Sequence, residues 1–580
     1  MKINRSNYQN VLKSAFNRNH LLNSEDCSQV RRLIKSKNKI PVMFNDIKET
    51  PLYLDYAVIV YGITPCGSKI TVIIEDINPS LDIEFDPSLD KAGNLKRVQD
   101  LLCDKTLVKK LRGAPQVHSL KSRKGKKLIG YEKEESSFIK ISFKNIWHRK
   151  EFIKLLKKKN IQSFNNDESS YYRVVGRQYK LYLSGWNTLE NYTLISDSEY
   201  KTKYVVSLSV DSISRFEESD FSDFNPQVFR KDKLISMAFD IEQYSSDFDV
   251  ENINRYTRLP SGEVLEDTIF NIGMTFHFIN EPTELLGLSL ITENCKEQEG
   301  YTTIICDTEK TILLAFAFII EIIQPDIIYE FNGSDFDWPN IYKKAKLLKI
   351  QDEMLCMMAM NKLTSNDLKS KDNFIFKTED IKISADMGKT MANIRLHGYV
   401  AFDLRVSLMQ LNPTESKSSL AFYLEIYDMP GKDDMPIPQL FKYFATKDYE
   451  GLGDVAKYCF IDCLRLHQLV YKINLIQDRK AIGLLSYTSL FDSFYRANSS
   501  KVRNLVVSQA LDKNLFYDSI KKEIDDADKM EGKYPGAWVI QPETGLVNPI
   551  MSFEEFCKMS LKIEDNDLIN KGLKILKRRY

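Results

Sequence analysis

Apolar and polar residues alternate with a period of two in several stretches of the first third of the chain, which predicts strands there. Tyr53 to Val60 and Lys69 to Glu75 are strand-like, with the turn-forming Pro65-Cys66-Gly67-Ser68 between them. Phe138 to Phe143 predicts another strand, Trp147 to about Lys159 a basic helix, and Tyr171 to Leu183 more strand. The acidic stretch from Glu217 to Pro226 reads as a linker. Beyond it, strands are predicted over Leu234 to Glu242, Thr268 to Phe278 and Leu286 to Thr292, a helix over Glu309 to Ile323, and a strand over Asp326 to Phe331. An amphipathic helix follows from about Leu452 to Tyr471, and the text stays helical from about 475, through Ser486 to Leu511. It breaks at the strand-like Gly536 to Gln541.

These elements predict a multidomain α/β protein. Residues 1–225 read as a β-rich N-terminal domain, in which strand, helix and strand from Phe138 onward suggest a ferredoxin-like or RNA-recognition-like module. Residues 230–475, with three strands, a helix, a strand and further helices, suit a ribonuclease-H-like α/β domain. A helical linker region covers 476–550, and 551–580 form a divergent tail. In that tail Ser552-Phe553-Glu554-Glu555 has a capping-box pattern, and Leu568, Ile569, Leu573 and Leu576 line one side of a second short helix.

Composition narrows the class. With 43% hydrophobic and 11% aromatic residues in 580, the chain has material for several cores, and global disorder is excluded. The longest apolar run, Ile312 to Ile323, contains Glu321 and falls short of the ~18 residues that a membrane helix needs. Met1-Lys2-Ile3-Asn4-Arg5 opens no secretory signal, so a soluble intracellular protein without a membrane partner is expected. Nine cysteines form no CxxC pair, and the six histidines are well separated. A bound metal would therefore be held by carboxylates, which points to Mg2+ or Mn2+. Net charge is +1, but Lys105 to Lys127 and Lys154 with Lys157-Lys158-Lys159 are basic runs, either solvated faces or phosphate contacts.

Three acidic patterns carry candidate chemistry. In Phe239-Asp240-Ile241-Glu242 the two acids share one face of a strand and could hold hard cations. Among 80 acidic residues, acid-x-acid arises on the order of ten times by chance, so a solvent-facing strand end is equally open. In Tyr329 to Pro339 a strand runs into the turn Asn332-Gly333, which puts Asp337 at a strand-to-helix junction, where it could also be a helix cap. Tyr458 and Asp462 are four apart on the amphipathic helix and share a face. That spacing lets a carboxylate bind metal while a phenol orients water, although a helix-surface pair would look the same.

Taken in order, strand, strand-to-helix turn and helix, the three segments resemble the exonuclease motifs of family B DNA polymerases of the replicative, alpha/delta-like group. His397 to Asp403 resembles the family's strand between the second and third motifs, and Ser418-Ser419-Leu420 and Lys432 to Met435 are similar to the approach to the third. Tyr171 to Val175, Ile482 to Asp492 and Gly532 to Pro542 look like segments of the large-DNA-virus members. The resemblance implies a 3′–5′ proofreading exonuclease that hydrolyses phosphodiesters with two Mg2+ or Mn2+ ions. It implies Asp240, Glu242, Asp337 and Asp462 as metal ligands and Tyr458 as the residue that orients the water. Asn332 and Phe336 would hold the 3′-terminal nucleotide of a single-stranded end. Tyr534, Gly536 and Ala537 match the Tyr-x-Gly-Gly/Ala segment that binds DNA between the exonuclease and polymerase sites.

The palm motifs Asp-x-x-Ser-Leu-Tyr-Pro-Ser and Tyr-Gly-Asp-Thr-Asp are not found in these 580 residues. The expectation is therefore the front half of a DNA-directed DNA polymerase, acting on primer-template with a palm-containing half supplied in cis or in trans. A viral replication site in the host cytoplasm or nucleus is the implied location. A stand-alone exonuclease and a non-catalytic DNA-binding subunit are the alternatives.

Overall fold

The computed structural model describes residues 1–518, apart from residue 23 and residues 129–133, 168–169, 197–198, 232, 252–255, 385–386 and 432–433. The strand expected over Gly536 to Gln541, the tail helices, and Tyr534, Gly536 and Ala537 lie outside the described residues.

In the N-terminal part, seven strands form one sheet in the spatial order Thr193–Leu194, Tyr204–Ser209, Lys69–Glu75, Val58–Ile63, Ile40–Glu49, Trp186–Leu189 and Ile213–Arg215. The strand expected from Tyr53 starts at Val58 instead. Pro51 lacks an amide hydrogen and its carbonyl closes a turn with the Leu54 amide (3.0 Å), leaving Leu52, Tyr53 and Leu54 exposed. A second sheet contains, in chain order, strand Ser80–Glu84, helices Lys91–Leu102 and Lys105–Leu111, strands Val117–Lys127 and Ser136–Phe143, helix Ile146–Lys158 and strand Ser163–Phe164. Its spatial order is Val117–Lys127, Ser136–Phe143, Ser80–Glu84, Ser163–Phe164, every pair antiparallel. Leu515–Phe516 adds a parallel edge strand, and Phe516 stacks on Phe138 with ring centroids 3.9 Å apart.

Two expectations fail here. Tyr171 to Leu183 is not a strand: Tyr172–Tyr179 is a helix. Its β-branched Val174-Val175 misleads by propensity, but tertiary contacts override that preference. The Tyr172 hydroxyl (2.7 Å) and the Arg173 guanidinium (2.9 and 2.7 Å) grip the Asp492 carboxylate on the helix Leu490–Tyr495. The acidic stretch 217–226 is not a free linker either. Phe216, Phe221, Phe224 and Phe229 pack with Trp186 into an aromatic cluster, so the segment is anchored to the sheet edge by its rings.

The second region is built on a seven-stranded mixed sheet ordered Lys2–Ile3, Thr302–Cys306, Glu284–Ile291, Thr268–Phe278, Ile235–Tyr244, Ile327–Glu330, Val400–Asp403. Ile235–Tyr244 is central, antiparallel to Thr268–Phe278 and parallel to Ile327–Glu330. Counting Ile235–Tyr244, Thr268–Phe278, Glu284–Ile291, Ile327–Glu330 and Val400–Asp403 as one to five, the order is 3-2-1-4-5 with strand two reversed, consistent with a ribonuclease-H-like domain. Helix Glu309–Ile323 is apolar around most of its circumference and sinks into one face, capped by Thr308, whose hydroxyl accepts from the Thr311 amide. The long helix Tyr449–Lys472 covers part of the other face.

The two regions are joined by buried charges. Asp326, just before the strand Ile327–Glu330, is paired with Lys69 (2.7 Å) and Arg18 (2.7 Å), and its carboxylate also accepts from the Ile235 amide (2.8 Å). Lys69 also donates to the Gly398 carbonyl (2.6 Å), and Asn45 to the Asp326 carbonyl (2.7 Å). One carboxylate thus ties the N-terminal sheet to the starts of two adjoining strands. Asp326→Asn leaves two buried cations short of a counter-charge, and a loss of about 3–5 kcal/mol is expected. Urea unfolding monitored by circular dichroism measures it; a loss below about 1 kcal/mol would show that the pairing contributes little to the folded state.

Candidate active site

The central strand Ile235–Tyr244 alternates, so half-buried Asp240 and Glu242 face one way, while Phe239 and Ile241 enter the core. At Asp240 the neighbouring strand presents Gly273, and the long helix packs against it there. A Cβ on Gly273 would sit 2.9 Å from the Cys459 sulfur, and one on Gly287 would sit 2.6 Å from the Phe460 ring. Glycine at these two positions is what lets the helix carrying Tyr458 and Asp462 lie directly on the acids. The Cys459 thiol donates to the Asp240 carbonyl at 3.4 Å. A carboxylate oxygen from Asp240, one from Glu242 and the Cys459 sulfur all fall within 4.8 Å of one another.

Asp337 is the first residue of the helix Asp337–Leu347 and is buried. The adjacent Trp338 packs edge-on against Phe239 with centroids 4.8 Å apart, so the neighbours of two acids lock together in the core. Burial pushes the Asp337 carboxyl well above the usual range, and the charges of Asp240 and then Asp403 add to the shift. Burial also raises the Cys463 thiol to about 11, with further contributions from Asp240, Asp462 and Asp337. Asp337 thus feels the charge of Asp240, and Cys463 those of Asp240, Asp462 and Asp337, while the group of candidate ligand atoms within 4.8 Å of one another is Asp240, Glu242 and Cys459. Tyr458 is half-buried, one turn from Asp462.

The donor set suits a hard divalent cation. It is all carboxylate oxygen apart from Cys459, whose thiol is driven well above its usual pKa by burial and stays a hydrogen-bond donor. Asp337 Oδ1 is buried and has no hydrogen-bond partner among the described residues. An oxygen in that state is costly unless a cation meets it.

Sequence reasoning missed the residues that hold the turn. Asp403 accepts from the Asn332 amide (3.0 Å), the Ser334 hydroxyl (2.7 Å) and the Arg405 amide (2.9 Å). Asn332 has φ +66°, and its side-chain oxygen accepts from Arg405, which also binds Ser418 (2.9 Å). Phe336 is half-buried and packs against the core beside the helix it precedes. Glu330, fully buried, is driven well above its usual pKa by burial and then by Asp403 and Asp337. A Cβ on Gly333 would collide with it at 1.8 Å, so the turn needs glycine there. The signal available in sequence was the pair of acids at strand ends, Glu330 and Asp403, which the acid-x-acid search passes over. Behind the acids, the His467 Nε2–H donates to the Glu281 carbonyl (2.9 Å), and Nδ1 accepts from the Tyr329 hydroxyl (2.8 Å). Its ring stacks on His277 at 3.4 Å, and burial lowers its pKa to about 4, so the imidazole is neutral.

Comparison with known proteins adds to this geometry. Residues 161–416 match the model of the DNA polymerase family B exonuclease domain. The DNA polymerase beta of African swine fever virus is 31% identical over 527 residues, covering 89% of this chain and 40% of that protein. The DNA polymerase catalytic subunit of Elephantid herpesvirus 1 is 23% identical over 76% of this chain and 38% of that protein. Among solved structures, the family B DNA polymerase of the hyperthermophilic archaeon Pyrobaculum calidifontis shares the fold, with a TM-score of 0.54 at 14% identity over 82% of this chain and 51% of that one. The chain spans about 40% of the length of the curated viral relatives that it matches. Over residues 161–416 the chain thus carries a match to the DNA polymerase family B exonuclease domain, and over most of its length it is similar to part of the viral DNA polymerases.

Proposed function

We propose that this chain is the exonuclease-bearing front part of a DNA-directed DNA polymerase and trims single-stranded DNA from the 3′ end. The observation that carries the reading is Asp240 and Glu242 side by side on one strand face beneath the helix that bears Asp462, with Asp337 close enough for its carboxyl to feel the charge of Asp240. These four would hold two divalent ions, Mg2+ or Mn2+, which when bound lower the pKa of the attacking water and stabilise the departing oxyanion. The rest falls to the chain. Crowded carboxylates raise one another's pKa, so a doubly charged cation relieves a repulsion the fold has already built. Tyr458 orients the water through its hydroxyl. Arg405 engages the Asn332 side-chain oxygen, which leaves the Asn332 amide nitrogen to donate to the terminal nucleotide, beside the Phe336 ring. Asp403 keeps that turn in register with the acids.

In this reading residues 1–225 are the N-terminal domain, 230–475 the exonuclease domain, 476–550 the linker and start of the palm region, and 551–580 a tail. The order over Ser80–Phe164, a strand, two helices, two strands, a helix and a strand, supports a ferredoxin-like or RNA-recognition-like module. The ring of Phe138, on one of its two central strands, is already stacked by Phe516, so that position serves packing rather than base stacking. Tyr534, Gly536 and Ala537 would pass DNA toward a palm-containing half, in cis or in trans, because the relatives are named DNA polymerases and extend well beyond the matched part. Primer-template DNA at a viral replication site would be the natural substrate.

Replacing Asp240 and Glu242 together by Ala should lower Mg2+-dependent release of nucleotides from a 3′-labelled single strand by at least about a thousandfold, since metal-borne charge stabilisation is worth several kcal/mol. The melting temperature should hold or rise as repulsion is removed. Full activity in the double variant would refute the metal site.

Tyr458→Phe keeps the ring and removes the hydroxyl. Steady-state kinetics on a single-stranded oligonucleotide should show kcat down about 10- to 100-fold with KM within about twofold, because positioning groups act on the chemical step. Unchanged kcat would make Tyr458 a packing residue.

A further inference from the structure

A polar cavity of about 230 Å³ lies far from the acids in sequence, between the sheet Val117–Lys127, Ser136–Phe143, Ser80–Glu84 and the helices Tyr172–Tyr179 and Asn498–Asp512. Its walls carry Arg123, Lys140 and Arg177, with Asp82, Asn165 and Asp512. The carboxylates are already committed. Asp82 accepts from Arg123 Nε (2.7 Å) and Asn165 Nδ2 (2.8 Å), and Asp512 pairs with Lys180 (2.8 Å). Arg177 is 2% exposed and bonds Asp167 (3.0 Å) and Asn504 (2.9 Å) through Nη1, while its Nε–H has no partner among the described residues.

Lys140 is the exception in this accounting. It stands directly across from Lys121 on one neighbouring strand, a like-charge pairing that destabilises a sheet, and across from Asp82 on the other, whose carboxylate is held by Arg123. It makes no hydrogen bond or ion pair among the described residues, and burial, then Arg123, lower its pKa against the pull of Asp82. The Asn165 side-chain oxygen is buried without a donor, and its backbone is left-handed at φ +48°. A lysine without an ion pair, an orphaned buried guanidinium N–H and a buried amide oxygen without a donor around one cavity are the conflicts that a bound ligand with anionic and hydroxyl groups resolves.

We propose that this cavity is a binding site for a phosphate monoester, held by Lys140, Arg177 and Arg123, with room beyond the phosphate for a sugar. Guanidinium and ammonium donors converging on one point suit a tetrahedral dianion. Asn165 and the exposed Gln178 supply the acceptor and donor for a hydroxyl-bearing remainder. The site is separate from the carboxylate cluster and needs no metal.

Titration calorimetry on the full chain in EDTA, with inorganic phosphate, 2-deoxyribose 5-phosphate and deoxyadenosine monophosphate as probes, tests it. At least one probe should bind saturably at one per chain, and the ranking of the three tells whether phosphate, sugar or base is read. Lys140→Met, which keeps the apolar stem, should weaken binding at least about tenfold, and Lys140→Arg should recover most of it. The free Lys140→Met protein should melt no lower than the parent, because the repulsion from Lys121 is gone. In the unaltered protein the bound probe should also protect Lys140 from acetylation, read by mass spectrometry. No saturable binding up to about 10 mM, equal binding with Lys140 replaced by Met, or no protection of Lys140 in the unaltered protein would each overturn the proposal. Asp240→Ala/Glu242→Ala should bind as the parent does, so failure of the nuclease reading and failure of this site are distinguishable.

Discussion

Carboxylates brought together in a partly buried setting repel one another, and each would sooner be in water or protonated. Every notable feature around Asp240, Glu242, Asp337 and Asp462 can be understood as a means of holding that arrangement against its own electrostatics. Asp337 responds by a strongly raised pKa, and Glu330, also fully buried, does the same. A fold that maintains such crowding gains from a divalent cation and from little else, which is why the arrangement itself argues for metal chemistry.

The restraint comes from three directions. Gly273 and Gly287 remove the side chains that would hold the long helix away, so Cys459 and Phe460 seat directly on the strands. Asp403 gathers the turn that delivers Asp337, using backbone amides and the Ser334 hydroxyl. The stacked imidazoles of His277 and His467, with Tyr329, pin the helix to two strands one to two turns beyond Asp462. Further back, Asp326 fixes the start of two of those strands to the N-terminal sheet through Lys69 and Arg18. The N-terminal part is therefore mechanically continuous with the site and helps to set the register of the strands that carry the acids.

Much of this was legible in the sequence because it is local. The apolar run from Ile235 to Phe239 ends in two acids on one face, and Glu309 to Ile323 has the length and uniform apolarity of a buried helix. What was not legible depended on partners far away in the chain. Tyr172–Tyr179 has strand-like residues but is helical because Asp492, more than three hundred residues on, needs Tyr172 and Arg173 on successive positions of a helix. Glu217 to Pro226 reads as an acidic linker until the rings in and beside it, Phe216, Phe221, Phe224 and Phe229, are seen around Trp186. At the site, Arg405 and Asp403 carry no motif signal, since their roles are to hold Asn332 and its turn rather than to touch a metal.

The direct measurement is anomalous diffraction from crystals of the chain soaked in Mn2+. Manganese peaks should lie among Asp240, Glu242, Asp337 and Asp462, with Asp337 Oδ1 turned toward a metal. Saturating Mn2+ that leaves this cluster empty, or that binds only elsewhere on the surface, would contradict the account.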